Sequence, residues 1–270
     1  MASVTQAAFN FRGGRMRLAL TLARFVLLEA RRSGLPLLAL GAFLAGIGLA
    51  GFLSQVALTE SANLQTGVLA ALFRVTVIFL TAAFVITSVV RESSDKGLEL
   101  LLSLPMSRST YYFGKVAGFA ACGGLLAAAF SLVMLLWSPP LAVAAWGCSL
   151  VLEALLVAAV SLFFGIASGR VVPALAGVGG LYFLGRAISA IQLISVSPLI
   201  GDESLVQKFS RWGVDAVAVL MPALDRATQT AWLLYSPPSI GEFLGVAGAL
   251  LIYTALMVAA GLFDFHRRNL

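Results

Sequence analysis

Runs of about 20 mainly apolar residues are the feature that most limits how this chain can fold. A helix rises about 1.5 Å per residue, so such a run crosses the roughly 30 Å hydrocarbon core of a bilayer. The composition agrees, because 60% of the residues are hydrophobic and only 11% are charged, against about 25% charged in soluble domains. The sequence therefore predicts an all-α integral membrane protein whose excess apolar surface faces lipid.

Six runs are long enough to be spans, and they predict six transmembrane helices. We place them at 35–58, 68–90, 112–137, 141–168, 172–197 and 240–263. Of 18 Lys and Arg residues, only Lys208, Arg211 and Arg226 lie on the outer side of this arrangement. Because cytoplasmic segments carry the excess of Lys and Arg, both termini are predicted to be cytoplasmic. The net charge of +6 is therefore interpreted as topological, and no nucleic-acid binding is expected.

Residues 1–34 form a leader ahead of the six-span domain at 35–270. Residues 1–14 are polar and are predicted to lack regular structure. The following segment interleaves apolar residues with Arg15, Arg17, Arg24, Arg31 and Arg32. One helix face there would carry Leu18, Leu22, Phe25 and Val26. We interpret it as a basic amphipathic helix in the cytoplasmic interface rather than the start of the first span, because Gly34 and Pro36 interrupt the run.

Two long connections separate the spans. The outer segment 198–239 has a mixed composition and is predicted to hold a short amphipathic helix at the outer interface. The cytoplasmic connection 91–111 is more informative. There Gly97 is expected to break the preceding helix, residues 98–104 to form an apolar turn, Pro105 to end it and Ser107 to cap the next helix. An apolar run on a cytoplasmic loop needs cover, either lipid headgroups or a partner protein.

This connection resembles the coupling loop of the ABC-2 type of ABC transporter permease. Members carry an acidic residue, a basic-Gly pair, an apolar run, Pro-x-Ser-Arg, and a Gly-Lys pair that opens the third span. The matching positions here are Glu92, Lys96-Gly97, Leu98 to Leu104, Pro105-Met106-Ser107-Arg108 and Gly114-Lys115. The basic N-terminal segment and the basic C-terminal ending are similar to the family's layout. The enlarged outer segment is similar to the subgroup that includes the permease of nitrous oxide reductase maturation.

The resemblance implies a permease subunit of an ATP-driven exporter in a bacterial inner membrane. A second permease copy, or a related permease, would complete the path, and an extracytoplasmic partner is a further expectation. A cytoplasmic ABC ATPase dimer would bind ATP and Mg and would dock against the loop at 91–108. The residues implied in that contact are Glu92, Gly97, Leu98, Glu99, Leu101, Leu102, Pro105 and Arg108.

The sequence contains no catalytic motif of its own. The pair Gly114-Lys115 lacks both the upstream glycine and the following Ser or Thr of a phosphate-binding loop. His266 is the only histidine and lies at the tail, which excludes a Ser-His-Asp set and a histidine-rich metal site. Cys122 and Cys148 lie within apolar runs, which indicates packing rather than a disulfide. We therefore predict that the chain is not an enzyme and that it binds no cofactor or metal directly.

Two charged residues lie near the middle of predicted spans. Counted from the outer ends, Glu153 and Arg186 are about 18 Å and 17 Å deep on neighbouring helices. Either charge alone would be costly there, so we predict that they form an ion pair. Such a pair either lines the transport path or holds the two helices in register. Arg74 lies nearer the outer surface and is predicted to extend to the headgroups.

Two other classes of function compete with the permease. A secondary transporter or channel would use Glu153 and Arg186 for coupling, but it gives no reason for the apolar cytoplasmic loop. A non-transporting membrane anchor would use that loop to recruit a cytoplasmic protein.

Overall fold

The computed structural model describes residues 2–56, 61–94, 107–196, 212–218, 221–222 and 224–267, with side chains except at 2–15, 61 and 194–196. These residues contain seven long helices and no strand. The helices are α1 (Ala2–Arg32), α2 (Leu35–Val56), α3 (Ser61–Ser94), α4 (Arg108–Met134), α5 (Pro140–Ser168), α6 (Val171–Val196) and α7 (Ile240–Arg267). Shorter helical turns lie at 212–218, Leu224–Arg226 and Ala231–Leu234.

Six of the described helices, α2 to α7, are long and apolar enough to cross a membrane. This confirms the six predicted spans and makes the chain a multi-pass membrane protein. The bounds differ most at α3, which runs from Ser61 to Ser94 and so extends beyond the predicted 68–90 at both ends. Polar residues continue this helix past the apolar run by which the span was recognised. The side of the membrane on which each terminus lies stays a prediction.

Side-chain caps explain where two of the helices begin. The Ser107 hydroxyl accepts a hydrogen bond of 3.3 Å from the Thr110 amide, which confirms the predicted cap of α4. Between α1 and α2 the helix breaks at Ser33 and Gly34, and the Leu35 amide donates to the Ser33 hydroxyl over 3.3 Å. The predicted interruption before the first span is therefore present.

Helix α1 packs along α4 with part of its predicted apolar face. It begins at Ala2, so the prediction that residues 1–14 lack regular structure is wrong for residues 2–14. Val26 is fully buried against α4, whereas Leu18 and Phe25, predicted to share its face, are 46% and 64% exposed. Leu22 and Val26 of the predicted face therefore make the contact with α4, and Leu18 and Phe25 do not. The charged side chains of this helix are exposed at Arg17, Arg24, Arg31 and Arg32, and that of Arg15 lies outside the described residues.

Two glycines of α4 allow α1 to approach closely. A Cβ atom added at Gly118 would lie 2.7 Å from Val26 Cβ, and one added at Gly114 would lie 2.9 Å from Leu22 Cβ. Small residues spaced by four permit this kind of contact between membrane helices, where packing rather than water exclusion drives association. The depth of α1 relative to the membrane interface stays a prediction.

Helix α5 is at the centre of the bundle. It packs against α3, α4, α6 and α7, while α2 lies at the edge against α3. We call the two ends of the bundle the Glu92 end and the Trp137 end. The Glu92 end holds the C-terminus of α3 and the N-terminus of α4. At the Trp137 end, the Trp137 indole donates to Gln65 Oε1 over 3.1 Å and the Ser138 hydroxyl donates to the Leu233 carbonyl over 3.4 Å. The segment 224–235 therefore packs on the Trp137 end.

We predict that Gly118→Ala destabilises the protein and that Gly124→Ala in the same helix does not. The added methyl at position 118 collides with Val26, whereas at position 124 the nearest atom, Val151 Cγ1, is 3.8 Å away. Overpacking of this kind costs about 1–3 kcal/mol. Detergent-solubilised variants compared by denaturant titration measure the difference. Equal stability of the two variants would contradict the close α1–α4 contact.

Candidate functional sites: two clusters of charged and polar residues

A polar cluster lies in the middle of the otherwise apolar bundle. We call it the Glu153 cluster and define it as Glu153, Tyr182, Arg186, Arg74 and Thr228. The Glu153 side chain is fully buried on α5, about midway along that helix. Its Oε1 atom accepts hydrogen bonds from the Tyr182 hydroxyl at 2.8 Å and from Arg186 Nη1 at 3.2 Å. The residues that the sequence analysis paired, Glu153 and Arg186, therefore form an ion pair between α5 and α6.

The second oxygen of Glu153 binds a residue outside the long helices. Its Oε2 atom accepts a hydrogen bond from the Thr228 hydroxyl. The Thr228 amide in turn donates to the Ser149 hydroxyl on α5 over 3.0 Å. Thr228 has φ of 44°, the left-handed region that a β-branched residue rarely adopts. The surrounding hydrogen bonds hold the backbone in this conformation, which costs about 1–3 kcal/mol by itself.

Backbone carbonyls of the segment 224–228 accept hydrogen bonds from both arginines of the cluster. Arg186 Nη1 donates to the Leu224 carbonyl at 2.8 Å and to the Ala227 carbonyl at 3.3 Å. Arg74 Nη1 donates to the Thr228 carbonyl at 2.9 Å. Buried carbonyls and guanidinium groups both need hydrogen-bond partners away from water, and here they satisfy each other. The cluster thus fastens the segment 224–228 to α3, α5 and α6.

The prediction that Arg74 extends to the headgroups is wrong. Its guanidinium turns inward to the Thr228 carbonyl because the segment 224–228 offers an acceptor inside the bundle. A buried carbonyl competes well with the headgroup region when the helix already places the side chain beside it. The depth of Arg74 along α3 does not indicate this contact, because the outer segment was expected to lie at the membrane surface.

The Glu153–Arg186 pair of this cluster was predicted from the sequence, but the other partners of these two residues were not. Tyr182 precedes Arg186 by four residues, so the two share a helix face, and that spacing was a usable signal. Thr228 gave no signal, because it contributes a backbone carbonyl and a hydroxyl from an irregular segment. Beside it, Ser189 donates to Asp225 Oδ2, which ties the same segment to α6 again.

A second cluster lies at the Glu92 end. We call it the Glu92 cluster and define it as Glu92, Lys115, Glu29, Arg91 and Ser88. Lys115 Nζ lies 2.6 Å from Glu92 Oε2, which joins the N-terminus of α4 to the C-terminus of α3. Lys115 is only 4% exposed, and its ammonium also lies 5.7 Å from the centre of the Phe119 ring. The lysine of the Gly-Lys motif is therefore buried and joins α4 to α3, and it is not a surface charge.

The rest of the Glu92 cluster connects α1 to α3. Arg91 Nη2 lies 2.6 Å from Glu29 Oε1, and the Ser88 hydroxyl donates to the same oxygen over 3.0 Å. Arg108, at the start of α4, donates to the backbone carbonyl of His266 near the end of α7 over 3.4 Å. Four helices, α1, α3, α4 and α7, are therefore linked by polar contacts at this end.

The structure describes only the two ends of the predicted coupling loop. Glu92 and Arg108 lie on α3 and α4 and make the contacts given above. The remaining residues predicted to contact an ATPase lie outside the described residues; they are Gly97, Leu98, Glu99, Leu101, Leu102 and Pro105. Their roles stay predictions.

Neither cluster resembles a metal centre. No group of three or more His, Cys, Asp or Glu side chains in the described part of the chain is placed to hold a metal ion. Both oxygens of Glu153 accept hydrogen bonds, so this carboxylate is suited to fixing helices in place.

Comparison with protein-family models gives no match, and a comparison with curated proteins gives none either.

We predict that Glu153→Gln and Arg186→Gln are each strongly destabilising and are not additive. Removing one partner of a buried ion pair costs about 3–5 kcal/mol, because the other charge is left without compensation. The double variant should be more stable than the sum predicts by about 0.5–3 kcal/mol. Denaturant titration in mixed micelles measures the free energy of unfolding of the two single variants and of the double variant. Arg170→Gln, an exposed charge in the α5–α6 turn, is the control. Strict additivity would contradict the pairing.

We also predict that Thr228→Val loosens the segment 224–235. The change removes the hydroxyl that binds Glu153 but keeps the branched shape, and an unsatisfied buried acceptor costs about 1–3 kcal/mol. Amide hydrogen exchange over residues 224–235 should become faster. Thr87→Val is the matched control, because the exposed Thr87 hydroxyl binds only carbonyls of its own helix. Unchanged exchange in Thr228→Val would mean that this hydrogen bond does not hold the segment.

Proposed function

We propose that this chain is the transmembrane permease subunit of an ATP-driven ABC exporter. It would work with a second permease copy and with a separate cytoplasmic ATPase dimer, which would bind ATP and Mg. The loop at 91–108 would be the element that the ATPase moves. The proposal rests on the motif resemblance of that loop together with the six-helix bundle.

One observation carries the proposal further than the motif alone. The buried Lys115–Glu92 pair joins the two helices from which the loop leaves and to which it returns. Force applied to residues between 95 and 106 would therefore be transmitted to α3 and α4 together. A loose loop on an unconnected pair of helices would absorb such a displacement instead of passing it on.

The other contacts at the Glu92 end extend this transmission. Arg91 binds Glu29 of α1, and Arg108 binds the backbone of α7, so a movement of α3 and α4 would carry both neighbours. At the opposite end, the Glu153 cluster fixes the segment 224–228 to α3 and α6. We propose that this segment closes the Trp137 end and that it opens when α3 and α6 shift relative to each other.

A secondary transporter is the second candidate, and the buried Glu153 is the observation that favours it. A carboxylate at mid-bundle is a common carrier of protons in such transporters. In this chain the carboxylate accepts hydrogen bonds from two hydroxyls and one guanidinium, an arrangement that holds α5, α6 and the segment 224–228 together.

We predict that Leu101→Asp abolishes co-purification with an ABC ATPase encoded beside this gene. A charge within the apolar run would have to be buried without a partner in the interface. Leu136→Asp, at an exposed leucine of the Trp137 end, is the matched control and should leave the complex intact. Normal binding and normal stimulation of ATP hydrolysis by Leu101→Asp would contradict the coupling role of the loop.

Lys115 offers a separate test of transmission. Because Lys115 is buried, Lys115→Met should leave ATPase binding intact but reduce the stimulation of ATP hydrolysis by substrate or lipid. Lys115→Arg keeps the charge and should retain part of the stimulation of ATP hydrolysis. Transport by the chain without any ATPase, driven by a proton gradient, would support the secondary transporter instead.

A further inference from the structure

A mixed polar and apolar cavity lies at the Trp137 end, apart from both clusters. It has a volume of about 490 Å³ and lies between the turn at 224–229 and the first turns of α7. Arg226, Gln229 and Glu242 line it together with Val246 and Ala249. Ligand sites in proteins usually have volumes of about 300–1,000 Å³. The cavity is therefore large enough for a small ligand or for part of a lipid.

The two charged residues that line this cavity, Arg226 and Glu242, have opposite signs. Within the described residues, Arg226 and Glu242 form no ion pair with each other, although both line the same space. Their side chains are exposed, and Gln229 adds an amide that can donate or accept. A ligand that carries one anionic and one cationic group would complement both residues at once.

The lining of the cavity changes from polar to apolar along α7. Glu242 lies in the first turn, whereas Ala249 lies nine residues after Ile240, which is about 14 Å further along the helix axis. The polar residues are therefore at the end of the membrane span, and the apolar residues are within it. Tyr235, which precedes α7, is 85% exposed, as is typical of aromatic residues at the headgroup level.

We propose that this cavity binds a zwitterionic phospholipid with an amino headgroup. Arg226 binds the phosphate, for which its planar guanidinium provides paired donors. Glu242 binds the ammonium group, and Val246 with Ala249 contacts the upper part of an acyl chain. Gly245 leaves room for that chain, because nothing lies within 4 Å of a Cβ added there. The inference does not depend on the ATPase coupling proposed above.

The test uses the full chain in detergent, with phosphatidylethanolamine or phosphatidylglycerol added and lipid binding measured by native mass spectrometry. Wild-type protein should bind phosphatidylethanolamine more tightly, because the phosphatidylglycerol headgroup has hydroxyls but no cationic group to pair with Glu242. Arg226→Gln should weaken the binding of both lipids about ten-fold, since hydrogen bonds to charged groups are stronger than those between neutral groups. Glu242→Gln should remove the preference between the lipids. Gly245→Leu should fill the cavity and prevent binding of both.

Two controls make the result decisive. Arg170→Gln removes an exposed charge in the α5–α6 turn and should bind both lipids as the wild type does. Soluble phosphoethanolamine should fail to displace the lipid, because it lacks the acyl chain. Equal binding of phosphatidylethanolamine by wild type, Arg226→Gln and Gly245→Leu would overturn the site. Displacement by phosphoethanolamine at equal concentration would overturn the role given to the apolar half of the cavity.

Discussion

A fully buried carboxylate in the middle of an apolar bundle is the constraint on which the rest of this structure depends. An unpaired charge at that depth costs several kcal/mol, so Glu153 has to be surrounded by donors. Tyr182 and Arg186 supply two of them from α6, and Thr228 supplies the third from the segment before α7. Satisfying this one side chain therefore links α6 and that segment to α5, in addition to the apolar packing of α6.

The segment 224–228 also places irregular backbone inside a membrane bundle. Such backbone is tolerated only where protein surrounds it, because lipid offers no hydrogen bonds to its carbonyls. Here the carbonyls of Leu224, Ala227 and Thr228 bind arginines instead. The two needs are complementary, since the arginines require acceptors and the carbonyls require donors. At the Glu92 end the same logic operates between side chains, where Lys115 and Glu92 satisfy each other in a nearly dry contact.

The sequence was sufficient for the features set by length and local chemistry. Apolar length gave the six spans, the Ser107 hydroxyl gave the start of α4, and depth counting brought Glu153 and Arg186 to the same level. It was insufficient where a distant backbone decides the outcome. Arg74 turns inward toward a carbonyl 154 residues away, and no side-chain pattern encodes such an acceptor. Only Leu22 and Val26 of the predicted face of α1 are covered, because Gly114 and Gly118 of α4 decide where the two helices approach.

The long separation between Arg74 and its acceptor has a consequence for biogenesis. Chains are made from the N-terminus and their parts fold in that order, so α3 and its arginine enter the bilayer well before the Thr228 carbonyl has been synthesised. Glu153 and Arg186 can meet earlier, since only 33 residues separate them. The bundle therefore passes through a stage in which α5 and α6 are matched while Arg74 still needs water, a headgroup or a chaperone. Once the residues around Thr228 have inserted, Arg74 no longer needs another partner and the bundle can reach its final packing.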